Sequence, residues 1–315
     1  MRCKLLMAML VLSCTAHAGS YTERAVTQAV AGGTLYGTEL IPEGGAKVPV
    51  VLLHSGSGPT DRDGNSEAAS LLNNSLRMLA ESLAQQGIAT VRYDKRGVAS
   101  SAGLVKEESD LRLDSYVDDA VVWMRQLRAD KRFSKVVMAG HSEGALIALV
   151  ACQRAKADAC VSISGPGHPL ADILRDQLKP KLPPALAGAN ERILVALEQG
   201  KPVEDVPPEL MMLYRPSVQP YLISSFKTDP RKAIAALKMP ALIAQGTTDI
   251  QVAVKEAQAL SAAAPSAKLV VIDGMNHVLK MVSANPASQR ASYSDPSLPL
   301  SPQLSEAVAD FVKQR

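Results

Sequence analysis

The sequence has very little net charge. Its 34 lysine and arginine residues are balanced by 31 aspartate and glutamate residues. Two of the basic residues, Arg2 and Lys4, lie in an N-terminal segment that we expect to be removed. Binding to nucleic acids and to anionic membrane surfaces depends on an excess of positive charge. The composition therefore gives no reason to expect a nucleic-acid partner.

The N-terminal apolar stretch is too short to span a membrane. It covers residues 5–12, whereas a helix that crosses a hydrocarbon core of about 30 Å needs roughly 20 apolar residues. Basic residues precede it, and residues 16–18 place alanine at both small-residue positions of a cleavage site. We predict that residues 1–18 are a signal peptide cleaved after Ala18, leaving a periplasmic or secreted protein without stable membrane insertion. A buried first helix, a membrane anchor and a lipoprotein acylated at Cys14 are the alternatives.

Cysteine is also scarce. Of the four cysteines in the chain, Cys3 and Cys14 lie in the predicted leader, so Cys152 and Cys160 remain after cleavage. Two cysteines in an oxidising compartment predict a disulfide bond. Two buried free thiols are the alternative.

Apolar residues make up 47% of the chain, which is enough for a globular domain. Residues 48–54 form a continuous apolar run, typical of a strand that is buried on both faces. Residues 23–40 predict an antiparallel pair that turns at Gly32-Gly33. The alternation of strand and helix patterns predicts an α/β fold over residues 19–315, with a mostly parallel central sheet covered by helices on both faces. Further strands are predicted at 88–93, 136–139, 159–163, 241–245 and 268–272, and helices at 72–86, 110–128, 145–154, 254–262 and 302–313.

One stretch interrupts this alternation. Residues 166–239 contain leucine-rich helical segments separated by prolines, and we interpret them as a helical cap inserted into the domain. The apolar side chains of this cap either line a substrate pocket beneath a lid or pack within the cap itself. The candidate pocket residues are Met211, Met212, Tyr214, Tyr221 and Phe226.

A candidate nucleophile lies between a predicted strand and a predicted helix. Ser142 is the centre of Gly140-His141-Ser142-Glu143-Gly144. A serine hydroxyl is a weak nucleophile and needs a base within hydrogen-bond reach. A sharp strand-to-helix turn exposes such a serine, and the glycines two residues to either side are needed because a Cβ there would collide with neighbouring elements. A predicted strand precedes Ser142 and a predicted helix follows it, and this context is stronger evidence for a nucleophile than the pentapeptide alone.

Asp249 and His277 follow Ser142 in the chain order expected of such a site. Each comes directly after a predicted core strand, at the edge where an open parallel sheet places its ligands. We predict that His277 is the general base and acid and that Asp249 holds it in the correct tautomer. The other candidates fit less well: His54 and His141 precede the acid, His168 opens the predicted cap, and Asp273 shares one short loop with His277.

Acyl transfer also requires donors to the negative charge that develops on the carbonyl oxygen. The first predicted donor is the backbone N–H of Glu143, and the second is that of Ser55 or Gly56 in the glycine-rich loop after residues 48–54. An ordinary Gly/Ser turn is the alternative for this loop. The segment Asp61-Arg62-Asp63-Gly64 is not a calcium loop, because its glycine comes too early and Leu72 stands where a glutamate is needed. We therefore predict no metal site.

Four segments together resemble the α/β-hydrolase superfamily. They are His54-Ser55-Gly56-Ser57-Gly58-Pro59-Thr60-Asp61-Arg62-Asp63-Gly64, Tyr93-Asp94-Lys95-Arg96-Gly97, Gly140-His141-Ser142-Glu143-Gly144 and Gly246-Thr247-Thr248-Asp249. The likeness covers nearly all of the predicted mature chain and is strongest to bacterial esterase and S33-type, serine-aminopeptidase-like members. One departure is Ala99, where many relatives have glycine in a turn that is not catalytic. The resemblance implies a helical cap over the site, no cofactor, and activity on small-molecule esters or related acyl compounds.

Three functions are compatible with the sequence. The favoured one is a carboxylic-ester hydrolase that works through an acyl-enzyme intermediate. The second is a peptidase or thioesterase that uses the same residues, although an aminopeptidase would need an acidic cluster in the cap, which offers only Glu204, Asp205 and Glu209. The third is a non-catalytic binding protein on a hydrolase scaffold, against which the intact serine, aspartate and histidine weigh. The identity of the acyl group and the oligomeric state stay open.

Overall fold

The structure, a computed structural model, describes residues 19–314. These residues form an eight-stranded sheet. The strands lie in the order β1-β2-β4-β3-β5-β6-β7-β8. β1 pairs antiparallel with β2, and β2 with β4, while the other neighbours run parallel. The predicted fold class is confirmed, including its opening antiparallel pair. The bounds are β1 Tyr21–Val30, β2 Gly33–Pro42, β3 Val48–His54, β4 Ala89–Tyr93, β5 Phe133–His141, β6 Ala159–Ile163, β7 Ala241–Gly246 and β8 Lys268–Ile272.

Helices cover both faces of this sheet. They are α1 Ser75–Gln85, α2 Leu113–Ala129, α3 Glu143–Ala155, α4 Leu170–Leu178, α5 Pro184–Glu198, α6 Met211–Tyr214, α7 Gln219–Phe226, α8 Pro230–Ala235, α9 Val254–Ala263, α10 Pro286–Ser292 and α11 Pro302–Lys313. Short 3₁₀ helices occupy Glu67–Ala69, Ala99–Leu104, Glu108–Asp110 and Pro208–Leu210. The sequence prediction missed α10, because residues 286–292 are mostly polar and show no helical apolar stripe.

The central strands supply apolar side chains to two cores at once. Along β3, Val50 and Leu52 belong to the core beneath α2 and α3, whereas Val51 and Leu53 belong to the core beneath α1 and α11. Successive side chains of a strand point to opposite faces, so a strand that is covered on both sides must be apolar throughout. This requirement explains why the continuous apolar run at 48–54 predicted the strand bounds correctly.

The chain between β6 and β7 makes a long helical excursion. α8 packs against α3 and α9 and returns the chain to the sheet, as a crossover between parallel strands requires. α4 to α7 are additional to that crossover. This addition is fastened to the main body near the start of α2, where the Leu113 N–H donates to the Ser224 hydroxyl over 2.8 Å and Arg215 pairs with Glu108. The assignment of residues 166–239 as an inserted cap stays a prediction.

A disulfide bond joins Cys152, in the last turn of α3, to Cys160 in β6, with their Cα atoms 6.1 Å apart. Both cysteines are fully buried. Of the helices within residues 19–314, none is both long enough and apolar enough to cross a membrane. The predicted signal peptide, its cleavage after Ala18 and the alternative of acylation at Cys14 concern residues outside the described part of the chain.

Candidate active site

Ser142 occupies a strained turn between β5 and α3. Its φ is 56° and its ψ is −126°, a conformation that non-glycine residues rarely adopt outside functional sites. A Cβ on Gly140 would lie 1.9 Å from the Gly144 carbonyl oxygen, and one on Gly144 would lie 2.5 Å from the Ser55 carbonyl oxygen. Neither neighbour is a flexible side chain that can move aside. Both glycines are therefore required for the turn that presents Ser142 at the carboxyl edge of the sheet.

His277 and Asp249 form a hydrogen-bonded pair at the same edge. His277 Nδ1 lies 2.9 Å from Asp249 Oδ2, and both side chains are buried. The backbone N–H groups of Gln251 and Val252 donate to Asp249 Oδ1 over 2.8 and 2.9 Å, and the Gln245 amide donates to Oδ2 over 3.1 Å. Burial opposes ionisation of Asp249, but the His277 imidazole and these donors outweigh it and hold the pKa of the carboxyl below its usual range.

The Asp249 carboxylate fixes which nitrogen of His277 carries the proton. An ionised carboxylate only accepts hydrogen bonds, so Nδ1 of His277 must donate, and Nε2 is left with its lone pair. Ser142 and His277 both line one open cavity of about 200 Å³. Among residues 19–314 the His277 imidazole bonds to Asp249 but makes no hydrogen bond to the Ser142 hydroxyl. Such contacts commonly tighten only when substrate is bound.

The loop after β3 comes very close to Ser142. A Cβ on Gly56 would lie 3.1 Å from the Ser142 Cβ, so only glycine lets the backbone approach without displacement. The backbone N–H of Gly56 and that of Glu143, the first residue of α3, donate to no other group among the described residues. Ser55 lies one residue further from Ser142, and its hydroxyl donates to the Thr60 carbonyl over 2.9 Å. Of the two predicted loop positions, Gly56 is the better placed.

Lys95 holds this loop in place, a role that no sequence motif predicted. Its ammonium donates to the carbonyl oxygen of Gly56 and, over 3.0 Å, to that of Gly58. The side chain is almost wholly buried. Burial lowers the pKa of Lys95 to about 8, although the carboxyl groups of Glu143, Asp61 and Asp94 favour its charged form.

His141 is a second residue whose part in the site the sequence did not indicate. Its Nε2 lies 2.8 Å from the His277 carbonyl oxygen, and the two imidazole rings are 4.8 Å apart. Burial lowers the pKa of His141 to about 3, so the ring is neutral at ordinary pH. Because a carbonyl only accepts, Nε2 carries the proton and donates it to the loop that holds His277. The chain order argues against His141 only as a base, and a positioning role leaves no local sequence signal.

The predicted pocket residues lie away from the cavity beside Ser142. None of the five is among the residues that line it. Tyr214 is fully buried and donates to the Asn190 side chain over 2.7 Å, and Phe226 packs in the core. Met212 is 84% exposed and Met211 is also exposed. Tyr221 alone reaches towards the site, because it lies beside Glu143 and meets Tyr116 edge to face at 5.8 Å.

The remaining candidates have structural partners elsewhere. His54 Nδ1 lies 2.8 Å from the Tyr93 hydroxyl, His168 Nδ1 lies 2.8 Å from Glu256, and Asp273 accepts from the Thr247 hydroxyl over 2.8 Å. Glu204, Asp205 and Glu209 are exposed and do not line the cavity. The acidic residues of the helical segment therefore form no amine-binding cluster at Ser142.

Comparison with known proteins finds a similar family and a similar esterase. The family described as serine aminopeptidase, S33, matches residues 73–200. Esterase EstD of Thermotoga maritima is 31% identical over 249 residues, which cover 78% of this chain and 58% of the relative. The chain thus spans a little over half the length of that relative.

Several solved structures share the fold. Est1E from Butyrivibrio proteoclasticus with bound ferulic acid superposes with a TM-score of 0.63 at 17% identity, over 92% of this chain and 98% of that one. The Pyrococcus furiosus esterase Pf2001 superposes with a TM-score of 0.56 at 17% identity, over 98% and 95% of the two chains. At such low identity these likenesses establish the α/β-hydrolase fold and nothing finer.

Proposed function

Because the chain belongs to the α/β-hydrolase superfamily, in its esterase-like branch, we propose that it is an exported serine esterase acting through Ser142, His277 and Asp249. The observation that carries the proposal is that Ser142 and His277, which is paired with Asp249, line one cavity. Ser142 lies in a strained turn that only the flanking glycines permit. Esterase EstD, the 31% identical relative, supports an activity on esters.

The first half of the reaction forms an acyl-enzyme. Ser142 Oγ attacks the ester carbonyl carbon while its proton passes to Nε2 of His277. The N–H groups of Gly56 and Glu143 donate to the carbonyl oxygen as it becomes negative. The carbon–oxygen bond to the alcohol then breaks, and His277 returns the proton to the leaving alkoxide.

The second half releases the acid. Water takes the place of the alcohol and gives a proton to His277 as it attacks the acyl carbon. When the bond to Ser142 breaks, the proton returns to its oxygen and the free enzyme is restored. Asp249 stays ionised throughout and stabilises the imidazolium that forms twice per cycle, which the lowered pKa of its carboxyl favours.

The cavity favours an ester over a peptide with a free amino terminus. Recognition of an ammonium group needs a carboxylate, and no aspartate or glutamate lines the cavity within residues 19–314. Glu204, Asp205 and Glu209, the acidic residues that an aminopeptidase would use, are solvent-exposed. A thioester places no such demand on the site, so direct assay must separate it from an oxygen ester.

The export proposal rests on the leader-like residues 1–18 and on the Cys152–Cys160 disulfide, which suits an oxidising compartment. Periplasmic or secreted protein is expected to begin at Gly19. Intact-mass measurement of protein collected from the periplasm and medium tests this. A mature chain that still carries residues 1–18, or one acylated at Cys14, would overturn it.

A fluorophosphonate probe tests the nucleophile. We expect labelling of the wild type and none of Ser142→Ala, with His277→Ala and Asp249→Asn folded but slower by orders of magnitude. Hydrolysis of p-nitrophenyl esters, aminoacyl arylamides and acyl thioesters should then be compared, and we expect the oxygen esters to react fastest. A folded wild type that neither labels nor turns over any of them would instead be a binding protein, and the proposal would fail.

A further inference from the structure

The cavity beside Ser142 is formed mainly by the loop between β3 and α1, residues 55–74, and not by the helical segment 166–239. Eight of its fifteen lining residues come from this loop, and none comes from residues 166–239. Further lining residues are Gln251, His277, Val278 and Tyr293. Loop 55–74 is therefore the element whose side chains meet the substrate.

None of the charged residues of loop 55–74, which are Asp61, Arg62, Asp63 and Glu67, lines the cavity. Arg62 pairs with the buried Asp94 over 2.6 Å, and Asp63 pairs with the buried Arg92 over 2.6 Å. Both partners belong to or directly follow β4, so these ion pairs attach the loop to the sheet. Asp61 accepts from the N–H groups of Asp63 and Asn65 within the loop, each over 2.8 Å. The residues that face the cavity are therefore neutral.

Besides Ser142, three serines line the cavity with hydroxyls that have no hydrogen-bond partner within residues 19–314. They belong to Ser57 and Ser66 in the loop and to Ser75 at the start of α1, and none bonds to another group among the described residues. Other polar groups nearby are already occupied, since the Thr60 hydroxyl donates to the Ser57 carbonyl over 2.8 Å and the Asn73 amide donates to the Gly64 carbonyl over 3.2 Å. The free hydroxyls can donate to or accept from a ligand, whereas the occupied ones hold the loop's shape.

Tyr293 lines the same cavity as these hydroxyls. The Tyr293 hydroxyl accepts from the Gln251 amide over 2.9 Å, which fixes that end of the ring. Because His277 returns its proton to the leaving oxygen, the alcohol part of an ester must lie near His277, and Val278 and Tyr293 line the same cavity. The alcohol thus enters a cavity that offers one aromatic ring and several neutral hydroxyl groups.

We propose that the substrates are short-chain acyl esters of neutral, hydroxyl-bearing alcohols, of the chemical class of acetylated sugars and polyols. This inference rests on the proposed esterase function. An alcohol that carries both C–H groups and hydroxyls matches a cavity lined by Tyr293 and by Ser57, Ser66 and Ser75. The cavity volume of about 200 Å³ lies below the range of roughly 300–1,000 Å³ typical of pockets for larger ligands. We therefore expect short acyl groups to be preferred.

Matched acetate esters test the alcohol preference. We compare methyl 6-O-acetylhexopyranoside with cyclohexylmethyl acetate, which keeps the six-membered ring but lacks the hydroxyls, and with the cationic ester acetylcholine. We expect kcat/KM for the acetyl hexoside to exceed that for each of the others by at least about tenfold, the size of one or two good hydrogen bonds. Equal values, or preference for cyclohexylmethyl acetate or acetylcholine, would overturn the inference.

Variants locate the preference in the loop. Ser66→Ala, Ser75→Ala and Tyr293→Leu should each lower the ratio of kcat/KM for the hexoside to that for cyclohexylmethyl acetate by severalfold. Ser134→Ala, which changes an exposed serine at the far end of β5, should leave that ratio unchanged. Circular dichroism confirms folding, and a ratio unaltered in all three folded cavity variants would contradict the assignment.

p-Nitrophenyl acetate and fluorophosphonate labelling separate this inference from the function on which it rests. If Ser142 labels and p-nitrophenyl acetate is hydrolysed while the hexoside is not preferred, the esterase function stands and the substrate class is wrong. If neither reaction occurs, the esterase function fails and the substrate class fails with it.

Discussion

The Lys95 ammonium donates to the carbonyl oxygen of Gly56, the residue that lies against Ser142. Lys95 lies two residues after the end of β4, whereas Gly56 lies two residues after the end of β3, so one side chain connects two neighbouring strand ends at the site. Its charge is also attracted to the carboxyl group of Glu143, the second proposed donor to the carbonyl oxygen. Lys95 therefore holds both halves of the proposed oxyanion site in place, which makes it a positioning residue.

Replacing this ammonium should slow the chemical step. Lys95→Met keeps most of the side chain's length but leaves the carbonyl oxygens of Gly56 and Gly58 without their donor. We expect kcat on p-nitrophenyl acetate to fall by about 10²-fold, the order seen when one oxyanion donor is lost, with a much smaller change in KM. Lys95→Arg, which keeps the charge and donors, should recover part of the loss. A folded Lys95→Met enzyme with normal kcat would contradict this role.

As pH rises, deprotonation of Lys95 should lower kcat but increase the free energy of unfolding. Its pKa is lowered to about 8 in the folded protein, from 10.5 when unfolded. As pH rises through about 8 the folded protein loses this charge, so kcat should decline several-fold. Between about 8 and 10.5 the unfolded chain binds the proton more strongly, so the free energy of unfolding should increase with pH.

Two variants isolate this titration. Lys280 is also buried with its pKa lowered to about 8 and contributes to stability in the same direction, so each profile is compared with that of Lys95→Met. The decline of kcat near pH 8 should be absent in Lys95→Arg, which stays protonated. Rate profiles and urea unfolding between pH 6 and 10 give both measurements, and a decline that persists unchanged in Lys95→Arg belongs to another group.

His141 should matter through the loop that carries His277. His141→Leu removes the donor to the His277 carbonyl and leaves that oxygen buried and unsatisfied, which costs about 1–3 kcal/mol of unfolding free energy. A looser His277 should also lower kcat by about tenfold. His141→Gln retains an N–H donor of similar reach and should restore much of both. Urea unfolding and p-nitrophenyl acetate turnover measure the two effects, and equal behaviour of the two variants would show that the hydrogen bond is unimportant.

The sequence predicted the parts of the molecule whose requirements are local. Strand β3 is apolar at successive positions because both of its faces are covered, and the glycines beside Ser142 are required by contacts under 3 Å. The turn, its flanking elements, and the chain order of Asp249 and His277 follow from such rules. No local rule applies to Lys95 or His141, whose partners lie 39 and 136 positions away in the chain.

The substrate wall could not be predicted for a related reason. Serine, asparagine and glycine in residues 55–74 are typical of an ordinary turn, and the apolar residues of 166–239 are typical of a lid. The ion pairs of Arg62 and Asp63 with Asp94 and Arg92, together with the Lys95 hydrogen bonds, hold loop 55–74 beside Ser142. In the same way, the burial of Tyr214 and Phe226 is decided by packing that periodicity does not reveal.

The Cys152–Cys160 disulfide should stabilise the fold without affecting catalysis directly. It closes a short loop, because its cysteines are separated by 8 positions in the sequence, and the chain-entropy estimate for such a loop is about 2–3 kcal/mol. The double variant Cys152→Ala, Cys160→Ala should lose unfolding free energy of that size, measured by urea unfolding, and keep near-normal kcat. Reduction of the wild type should give a similar loss. Free-thiol titration of two cysteines in exported protein would instead indicate that the bond does not form.

Substitutions at Gly56 and Gly58 test the close approach of loop 55–74 to Ser142 separately from the loop's backbone conformation. Gly56→Ala places a Cβ 3.1 Å from the Ser142 Cβ, so the loop must shift by a few tenths of an ångström. A displacement of that kind at an oxyanion donor should lower kcat by about tenfold or more.

Gly58→Ala provides the matched control. This residue has a φ of +67° and nothing within 4 Å of an added Cβ, so the substitution introduces backbone strain of about 1–2 kcal/mol without crowding Ser142. Gly58→Ala should thus lower the free energy of unfolding more than Gly56→Ala does, while Gly56→Ala should lower kcat more. Turnover of p-nitrophenyl acetate and urea unfolding of both variants decide the matter. If the two substitutions reduce kcat equally, the approach of Gly56 to Ser142 is not what the reaction requires.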